Sequence, residues 1–425
     1  MKTGFSQMKC GLLGERLGHS FSPLIHNMLA DYEYKTYEIT QDGLEDFVKN
    51  GGLDAFNVTI PYKKAVIPFI DEISPEARSI GAINVIARKQ ERLYGYNTDY
   101  FGFEYMLDSA KLCVAGKKAL LIGNGGAAAT VKAVLTDRNI GEIVIINSKT
   151  NTTENLMPHS DASIIINASP VGMYPNNRKS PIDISIFSNC EAVLDIVYNP
   201  AKTELMLQAE ERGIIAIGGL SMLVAQAAKG FEIFTDEKYE YGIIEKIIDH
   251  ISRKTQNIIL IGMPSCGKST IGKILAKELS RTFLDADDEF KKMHGITPAE
   301  AINTLGEATF RDMESTTLAE LGKLSGTLIA TGGGAVTRKQ NYPSLHQNGI
   351  IVYIKRDIDK LSTEGRPLSK KGSLNELYEK RKAFYEAFAD ITVENNDSAS
   401  KTVRNILCAL DNFDYSCIYN SKKEI

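Results

Sequence analysis

Short apolar runs rich in β-branched residues alternate with stretches of helical periodicity along most of the chain. This alternation is typical of α/β folds with parallel sheets, whose buried strands read as continuous hydrophobic segments. The predicted strands are KALLIG, EIVIIN, SIIINA, AVLDIV and GIIAIG in the middle of the chain, then NIILIG, TFLDAD, TLIATG and IIVYIK. The pattern predicts two consecutive series of α/β units.

The polar segment HISRKTQN, residues 250–257, separates these two series and is the predicted domain boundary. It contains neither Pro nor Gly, so it is also compatible with an extension of the preceding helix. A second division is predicted near Tyr100, where a segment with several polar motifs gives way to the regular series that begins at Lys118.

Composition and charge narrow the class of protein. The 425 residues are 43% hydrophobic and 24% charged, with a formal net charge of −4, which argues against a nucleic-acid partner. The most apolar stretch, residues 213–228, is short and interrupted by Gly and polar residues, so it predicts a strand, a turn and a helix start, and no membrane span. The N-terminus has no signal-peptide run, and the six cysteines form no CxxC pair. These features predict a cytoplasmic protein.

A glycine-rich loop, LIGNGGAAAT (121–130), follows a predicted strand and opens a predicted helix. Gly123, Gly125 and Gly126 would permit a tight turn and place a pyrophosphate on the helix N-terminus. An ordinary glycine turn remains an alternative. After the next strand comes SKT, which has no acidic residue for a ribose 2′-hydroxyl, whereas Lys149 suits a 2′-phosphate. The loop therefore favours NADP over NAD.

Three polar clusters precede this loop: HSFSPLIHN (19–27), NVTIPYK (57–63) and GYNTD (95–99). In extended backbone, Ser20 and Ser22 would direct both hydroxyls to one side. Taken singly, each cluster also fits a local role as an N-cap serine, a solvated lysine or a turn aspartate.

Together with GAIN (81–84), IINASPVGM (165–173), DIVYNPAKTELM (195–206) and GGLSMLVAQAAKGFEIFT (218–235), these clusters resemble shikimate dehydrogenase. The resemblance runs from about Cys10 to about Asp249. It implies a substrate-binding α/β domain (about 1–100 plus about 220–250) and a Rossmann-like NADP domain (about 101–219), both within residues 1–252.

The resemblance also implies residue roles. Lys63 and Asp99 would be the catalytic pair. This role agrees with the chemistry, since the oxygen of a reduced ketone needs a proton, and the sequence leaves open which of the two residues transfers it. The implied substrate site contains Ser20, Ser22, Asn57, Thr59, Lys63, Asn84, Asp99, Tyr198 and Gln226. The implied cofactor site contains Gly123, Asn124, Gly125, Gly126, Ala127, Asn147, Ser148, Lys149, Thr150 and Gly219. The family usually has Asn-Arg-Thr where this chain has Asn147-Ser148-Lys149-Thr150, so Lys149 stands in for an absent arginine.

A second loop, GMPSCGKS (262–269), matches G-x-x-x-x-G-K-[ST] and lies between an apolar strand and a helical pattern. This is the context in which a P-loop cradles phosphates, with Lys268 on the β/γ oxygens and Ser269 on Mg²⁺. Further polar residues follow: Asp285 and Asp287 at a strand end, Arg311 and Arg381 in helical patterns, and the triple glycine 332–334 after a strand. The arginines also fit surface charges, and the glycines a plain turn.

The second set resembles shikimate kinase from about Asn257 to about Leu410, which implies a P-loop α/β domain with a parallel sheet within residues 253–425. The implied substrate residues are Asp287, Arg311, Gly333 and Arg381, with Asp287 as the base or close to it, and the implied metal residues are Ser269 and Asp285. The implied ATP site contains Gly262, Pro264, Ser265, Cys266, Gly267, Lys268, Ser269, Thr270 and Arg366. The lid segment LSTEGRPLSKKG lacks the family's additional arginine.

Both resemblances together predict a bifunctional enzyme of aromatic amino-acid biosynthesis. It would reduce 3-dehydroshikimate to shikimate with NADPH and then phosphorylate shikimate with ATP and Mg²⁺. Its partners would be these small molecules, and homo-oligomer formation stays open. Two alternatives remain: one half is a binding or regulatory module, or the first half also uses quinate.

Overall fold

The structure is a computed structural model that describes residues 1–18, 20–147, 156–361, 371–415 and 420–421. It contains three sheets, and each is covered by helices. The α/β class predicted from the hydrophobic pattern is confirmed, and all nine predicted strands are present.

The first sheet is mixed, with the strand order β2-β1-β3-β5-β6-β4. Its strands are β1 (Lys9–Gly14), β2 (Glu33–Glu38), β3 (Ala55–Val58), β4 (Glu72–Ile73), β5 (Val85–Lys89) and β6 (Arg92–Tyr96). Its helices are α1 (Ser22–Leu29), α2 (Leu44–Asn50) and α3 (Pro75–Ile80), after which α4 (Asp99–Ser109) leads away. Strand β5 pairs antiparallel with both β3 and β6, so this sheet is mixed and differs from the parallel sheets that the hydrophobic pattern predicted for most of the chain. The short connection between β5 and β6 permits only an antiparallel hairpin.

The second sheet has the order β17-β11-β10-β9-β7-β8 and is parallel except for β17. Its elements are β7 (Lys118–Ile122), α5 (Gly126–Asp137), β8 (Glu142–Ile146), β9 (Ile164–Asn167), β10 (Ala192–Asp195), α6 (Glu204–Glu211), β11 (Ile215–Gly218) and β17 (Asn420–Ser421). The central strands β9 and β10 are buried along their whole length. Helix α7 (Leu220–Thr235) follows β11, as the apolar stretch 213–228 predicted, and packs against β3 and β5 of the first sheet.

The third sheet has the order β13-β14-β12-β15-β16, and all its strands are parallel. Its strands are β12 (Asn257–Ile261), β13 (Phe283–Asp285), β14 (Leu328–Ala330), β15 (Gly349–Lys355) and β16 (Ile391–Glu394). Its helices are α9 (Lys268–Glu278), α10 (Ala286–His294), α11 (Pro298–Leu305), α12 (Glu307–Gly322), α13 (Asn341–His346), α14 (Lys371–Phe388) and α15 (Ala399–Asp411).

The junction between the second and third units is a helix. Helix α8 (Ile243–Thr255) covers most of the segment 250–257, because Ile243, Ile247 and Ile251 form a buried stripe at helical spacing. Strand β12 begins two residues after the helix ends. The Arg281 guanidinium donates to the Gln256 carbonyl at 2.5 Å, which closes this short connection.

Within the described residues, we find no helix with the length and apolarity that a membrane crossing requires.

Candidate active sites

The first candidate site is built on an ion pair. Lys63 lies in the turn after β3, and Asp99 is the first residue of α4. The Lys63 Nζ atom lies 2.6 Å from Asp99 Oδ2, and the two side chains are only 20% and 10% exposed. An ammonium group has three donors, so the contact with Asp99 leaves donors for a second oxygen. The structure thus brings the predicted catalytic pair together.

Asn84 and Gln226 orient this pair. Asn84 Nδ2 donates to Asp99 Oδ1 at 3.0 Å, and the Thr98 N–H donates to Asn84 Oδ1 at 2.7 Å. Gln226 Oε1, on α7, accepts from Asn84 Nδ2 at 3.3 Å and from the Thr98 hydroxyl at 3.2 Å. The network holds one carboxylate oxygen of Asp99 while the other faces Lys63.

Asn57 lies on β3, and Thr59 follows the strand directly, just before the turn that carries Lys63. The Tyr34 hydroxyl donates to Asn57 Oδ1 at 2.7 Å. The ring of His26 stacks on Tyr34, with 4.0 Å between centroids. Complete burial lowers the pKa of His26 to about 3, so this imidazole is neutral. Two buried rings therefore fix the orientation of the Asn57 amide.

Ser20 and Ser22 were expected on extended backbone, and that expectation is wrong. Helix α1 begins at Ser22, and Phe21 has helical dihedrals, φ −80° and ψ −8°; a proline in the first turn favours this start. The hydroxyls still lie together, with 3.2 Å between the two Oγ atoms. The Phe21 ring lies 5.4 Å from the ring of Tyr198, between centroids. Phe21, which lies between the two serines in sequence, thus contacts the loop that follows β10.

The first glycine loop connects β7 to α5. Gly123 has φ +116°, and a Cβ there would lie 2.7 Å from the Ala168 carbonyl oxygen, so this position requires glycine. A Cβ on Gly125 would meet nothing within 4 Å, and one on Gly126 would lie 3.9 Å from Lys63 Cδ. The open side of the loop therefore lies beside Lys63, the lysine of the predicted catalytic pair. Asn124 and Ala127 belong to the same loop and first helical turn.

Gly219 precedes α7, where a Cβ would come within 2.1 Å of the Ile196 carbonyl oxygen. Only glycine fits this close approach of two backbones. Asn147 directly follows β8. Ser148, Lys149 and Thr150, predicted for the 2′-phosphate, lie outside the described residues.

The second glycine loop connects β12 to α9. Gly262, Ser265 and Gly267 all have positive φ, at +147°, +64° and +101°. The backbone therefore curls around a central space as a P-loop does. Lys268, only 9% exposed, donates from Nζ to the carbonyls of Gly262 and Met263, both at 2.9 Å.

Other predicted residues of this loop are placed as follows. Cys266 is fully buried, and its backbone N–H donates to the Met263 carbonyl at 3.2 Å. Pro264 packs against Gly333, where a Cβ would lie 2.7 Å from the proline ring. Ser269 and Thr270 are exposed in the first turn of α9.

A hydroxyl and a carboxylate meet beside this loop. The Ser269 hydroxyl donates to Asp285 Oδ2 at 2.7 Å. Asp285 ends β13 and caps α10, and its Oδ1 accepts from the Asp287 N–H at 3.1 Å. Mg²⁺ prefers such oxygen donors and usually keeps several waters, so these two residues fit its chemistry.

A charged cluster lies next to these aspartates. Arg311, on α12, pairs with Glu314 at 2.6 Å, with side chains 12% and 8% exposed. A Cβ on Gly332 would lie 2.8 Å from Glu314 Oε1 and 3.4 Å from Asp287 Oδ1, so the two carboxyl groups flank the triple glycine. Burial raises the pKa of Glu314, while Arg311 opposes this.

Helix α14 closes the cluster from the other side. Arg381 donates to the Gly333 carbonyl at 3.0 Å, and the Tyr385 hydroxyl donates to the same oxygen at 2.5 Å. The predicted substrate residues Asp287, Arg311, Gly333 and Arg381 therefore lie in one site. Arg366, predicted to close over ATP, lies outside the described residues.

Sequence reasoning missed several supporting residues. Glu314 and Tyr385 lie three and four positions after predicted arginines, and helical spacing could have indicated both. Asn395, after β16, donates to the Cys266 carbonyl at 2.7 Å and steadies the P-loop. No local pattern marks Asn395, because it meets the loop across 129 residues of sequence.

The fold and the geometry define two classes of site in one chain. One is a dinucleotide-binding loop beside a lysine–aspartate pair, typical of an oxidoreductase. The other is a P-loop beside acidic and arginine residues, typical of a phosphotransferase.

Comparison with known families agrees with both classes. The family model for the shikimate dehydrogenase substrate-binding domain matches residues 12–86, and the model for shikimate kinase matches residues 264–411. A shikimate dehydrogenase (NADP(+)) from Clostridium beijerinckii is 36% identical over 246 residues, covering 53% of this chain and 91% of its own.

Among the solved structures that resemble the first part of the chain are the following two. Shikimate dehydrogenase 1 from Peptoclostridium difficile has a TM-score of 0.53 and 38% identity, covering 57% of this chain and 96% of its own. Shikimate 5-dehydrogenase from Thermus thermophilus, in complex with NADP(H) and shikimate, has a TM-score of 0.52 and 27% identity, covering 57% and 98%.

The chain belongs to the shikimate dehydrogenase family and carries a shikimate kinase domain after the dehydrogenase part. It is a bifunctional enzyme, a fusion of two activities of the shikimate pathway.

Proposed function

We propose that the enzyme reduces 3-dehydroshikimate to shikimate with NADPH and then phosphorylates shikimate to shikimate 3-phosphate with ATP. The observation that carries the proposal is that the described residues form two separate sites in one chain. The Lys63–Asp99 ion pair lies beside a dinucleotide loop, and the P-loop lies beside Asp287 and two arginines. The product of the first reaction is the substrate of the second.

The proposed units are residues 1–252 for the dehydrogenase and 253–425 for the kinase. Within the first, residues of about 1–100 and 220–250 would bind the substrate, and 101–219 would bind NADP(H). Helix α7 packs against β3 and β5, so the chain returns to the first sheet after the second one. This packing supports the assignment of residues 220–250 to the substrate-binding part.

In the dehydrogenase site, bound NADPH supplies the hydride. Lys63 would donate a proton from Nζ to the oxygen that develops negative charge, and Asp99 would hold the lysine and the substrate hydroxyl. The adjacent hydroxyls of Ser20 and Ser22 suit a carboxylate acceptor. The rest of the substrate site would be lined by Asn57, Thr59, Asn84, Tyr198 and Gln226.

The cofactor would lie on the first glycine loop. Gly125 and Gly126 leave the open approach that a pyrophosphate needs at the start of α5. The adenosine would be surrounded by Asn147, Ser148, Lys149 and Thr150, with Lys149 on the 2′-phosphate. Gly219 would border the cofactor at the start of α7. The relatives from Clostridium and Thermus are NADP proteins by name or by their bound cofactor.

In the kinase site, bound ATP supplies the phosphoryl group. Asp287 would accept the proton of the substrate hydroxyl, and Arg311 and Arg381 would bind the substrate carboxylate. Lys268 would neutralise phosphate oxygens by exchanging its present carbonyl contacts for them. Ser269 and Asp285 would hold Mg²⁺, and Arg366 would close over ATP.

Two assays on the purified full chain test the proposal. NADPH oxidation with 3-dehydroshikimate tests the first site, and phosphate transfer from ATP to shikimate tests the second. Activity in both supports the proposal. Activity in only one would show that the other half is a binding or regulatory module.

A further inference from the structure

A buried polar interface joins the loop after β10 to the connection between α13 and β15. The Ala201 N–H donates to Asn348 Oδ1 at 2.8 Å, and the Lys202 N–H donates to the Gln347 carbonyl at 2.9 Å. The Lys202 Nζ atom lies 2.9 Å from His346 Nε2. Three consecutive residues of the kinase unit therefore hold two consecutive residues of the dehydrogenase unit.

The chemistry of these contacts is well defined. Lys202, Glu210 and His346 have side chains only 7%, 9% and 7% exposed, and Lys202 Nζ pairs with Glu210 Oε1 at 2.8 Å. A charged lysine only donates, so we assign His346 Nε2 as the acceptor and place the ring proton on Nδ1. That atom lies 3.6 Å from Asp390 Oδ2. Buried contacts of this kind are costly to break, because one partner is left without a hydrogen bond.

The held loop is also fixed at its base. Buried Asp195 accepts from the Val197 N–H at 3.0 Å and from the Thr203 hydroxyl at 2.7 Å. Tyr198 lies between Val197 and Thr203 in sequence, and its ring contacts Phe21. Phe21 lies between the two serines proposed for the substrate carboxylate. A displacement at Ala201 and Lys202 would therefore be transmitted to Tyr198.

We infer that His346, Gln347 and Asn348 of the kinase unit are positioning residues for the dehydrogenase site. They fix the loop that carries Tyr198 and so set substrate affinity in the first reaction. The inference rests on the proposed function of that site. Because Lys63 and Asp99 lie on other elements, loss of this anchor weakens substrate binding and leaves the chemical step nearly intact.

The kinetic test uses His346→Leu in the full chain, which removes the acceptor for Lys202. The KM for 3-dehydroshikimate should rise about five- to tenfold, the loss expected from one or two hydrogen bonds, with kcat within about twofold of the parent. Asn348→Ala, which removes the acceptor for Ala201, should act in the same direction. His346→Gln keeps an acceptor and should restore the KM.

The matched control is Lys339→Ala. Lys339 pairs with Glu211 at 3.7 Å across the same two units, but the side chains are 86% and 50% exposed. Exposed pairs contribute little, so this variant should keep the parent KM. If it raised the KM as much as His346→Leu, the buried anchor would not be the cause and the inference would fail.

Hydrogen exchange provides a readout that is independent of activity. In the full-length parent and in Lys339→Ala, the amides of Ala201 and Lys202 should be protected. In Asn348→Ala, the Ala201 amide should exchange about fivefold faster or more. Absence of parent turnover would overturn the proposed function alone. An unchanged KM in both anchor variants, an equally damaging His346→Gln, or unchanged amide exchange would overturn the inference.

Discussion

The two nucleotide loops of this chain share one plan and differ in where positive charge lies. Each follows a parallel strand, turns through glycines and opens a helix. In the second loop, Lys268 is the first residue of the helix and is directed back into the loop. The first turn of α5, by contrast, is GAAA and carries no charged side chain.

The difference in positive charge between the two loops agrees with the phosphate chemistry of each reaction. A dinucleotide stays intact during hydride transfer, so neutral N–H groups at a helix N-terminus are sufficient to bind its pyrophosphate. A phosphoryl group moves in the other reaction, and charge on its oxygens has to be stabilised as it shifts. Lys63, the proposed catalytic lysine of the first unit, instead lies outside the loop and pairs with Asp99.

The largest expected effects come from removing one proposed catalytic residue in each site and measuring both activities. Lys63→Ala should lower NADPH oxidation about 10²- to 10⁴-fold and leave ATP-dependent phosphorylation within about twofold, because general acid–base groups contribute on this scale. Asp287→Asn should do the reverse. Both rates are measured on the same preparations. A tenfold loss of dehydrogenase activity in folded Asp287→Asn would refute independent sites.

A second change removes the charge that distinguishes the loops. Lys268→Met keeps the length of the side chain, and kinase kcat should fall about 10²- to 10³-fold, as when one preorganised donor is lost from a site. Steady-state phosphorylation of shikimate measures it. Lys277→Met, on the exposed face of the same helix, is the control and should stay at the parent rate.

A third change addresses the neutral loop. Gly125→Ala should raise the KM for NADPH about tenfold, because the added methyl occupies the approach of the pyrophosphate while meeting no protein atom within 4 Å. The Tm should stay near that of the parent. Gly123→Ala should instead lower the Tm, because of its φ of +116° and the nearby Ala168 carbonyl. Equal effects of the two variants on Tm would contradict this distinction.

An effect of similar size concerns the choice of coenzyme. Lys149→Ala should narrow the preference for NADPH over NADH about tenfold, since one charge-assisted contact is worth roughly 1.5–3 kcal/mol. The comparison of kcat/KM for the two coenzymes measures this. Equal efficiency with both coenzymes in the parent would show that Lys149 does not read the 2′-phosphate.

The features predicted from the sequence are those that a contiguous stretch of residues determines. The P-loop, the dinucleotide loop and their flanking strands are contiguous motifs, so their placement followed directly. Lys63 and Asp99 could be paired only through the resemblance, because 36 residues separate them.

Other features were beyond local reasoning. The antiparallel pairing of β5 and the helical start at Ser22 depend on tertiary context that periodicity does not carry. The contact of Lys202 with His346 spans 144 residues of sequence and joins two units that the resemblances treat separately.

The most direct test of the central claim follows both products in one vessel. The purified full chain receives 3-dehydroshikimate, NADPH, ATP and Mg²⁺, and phosphorus NMR with absorbance at the NADPH band records the outcome. We predict that one NADPH is oxidised for each shikimate 3-phosphate formed, and that Asp287→Asn accumulates shikimate instead. NADPH oxidation without any phosphorylated product in the parent, or phosphate transfer without a reductase step, would contradict the account.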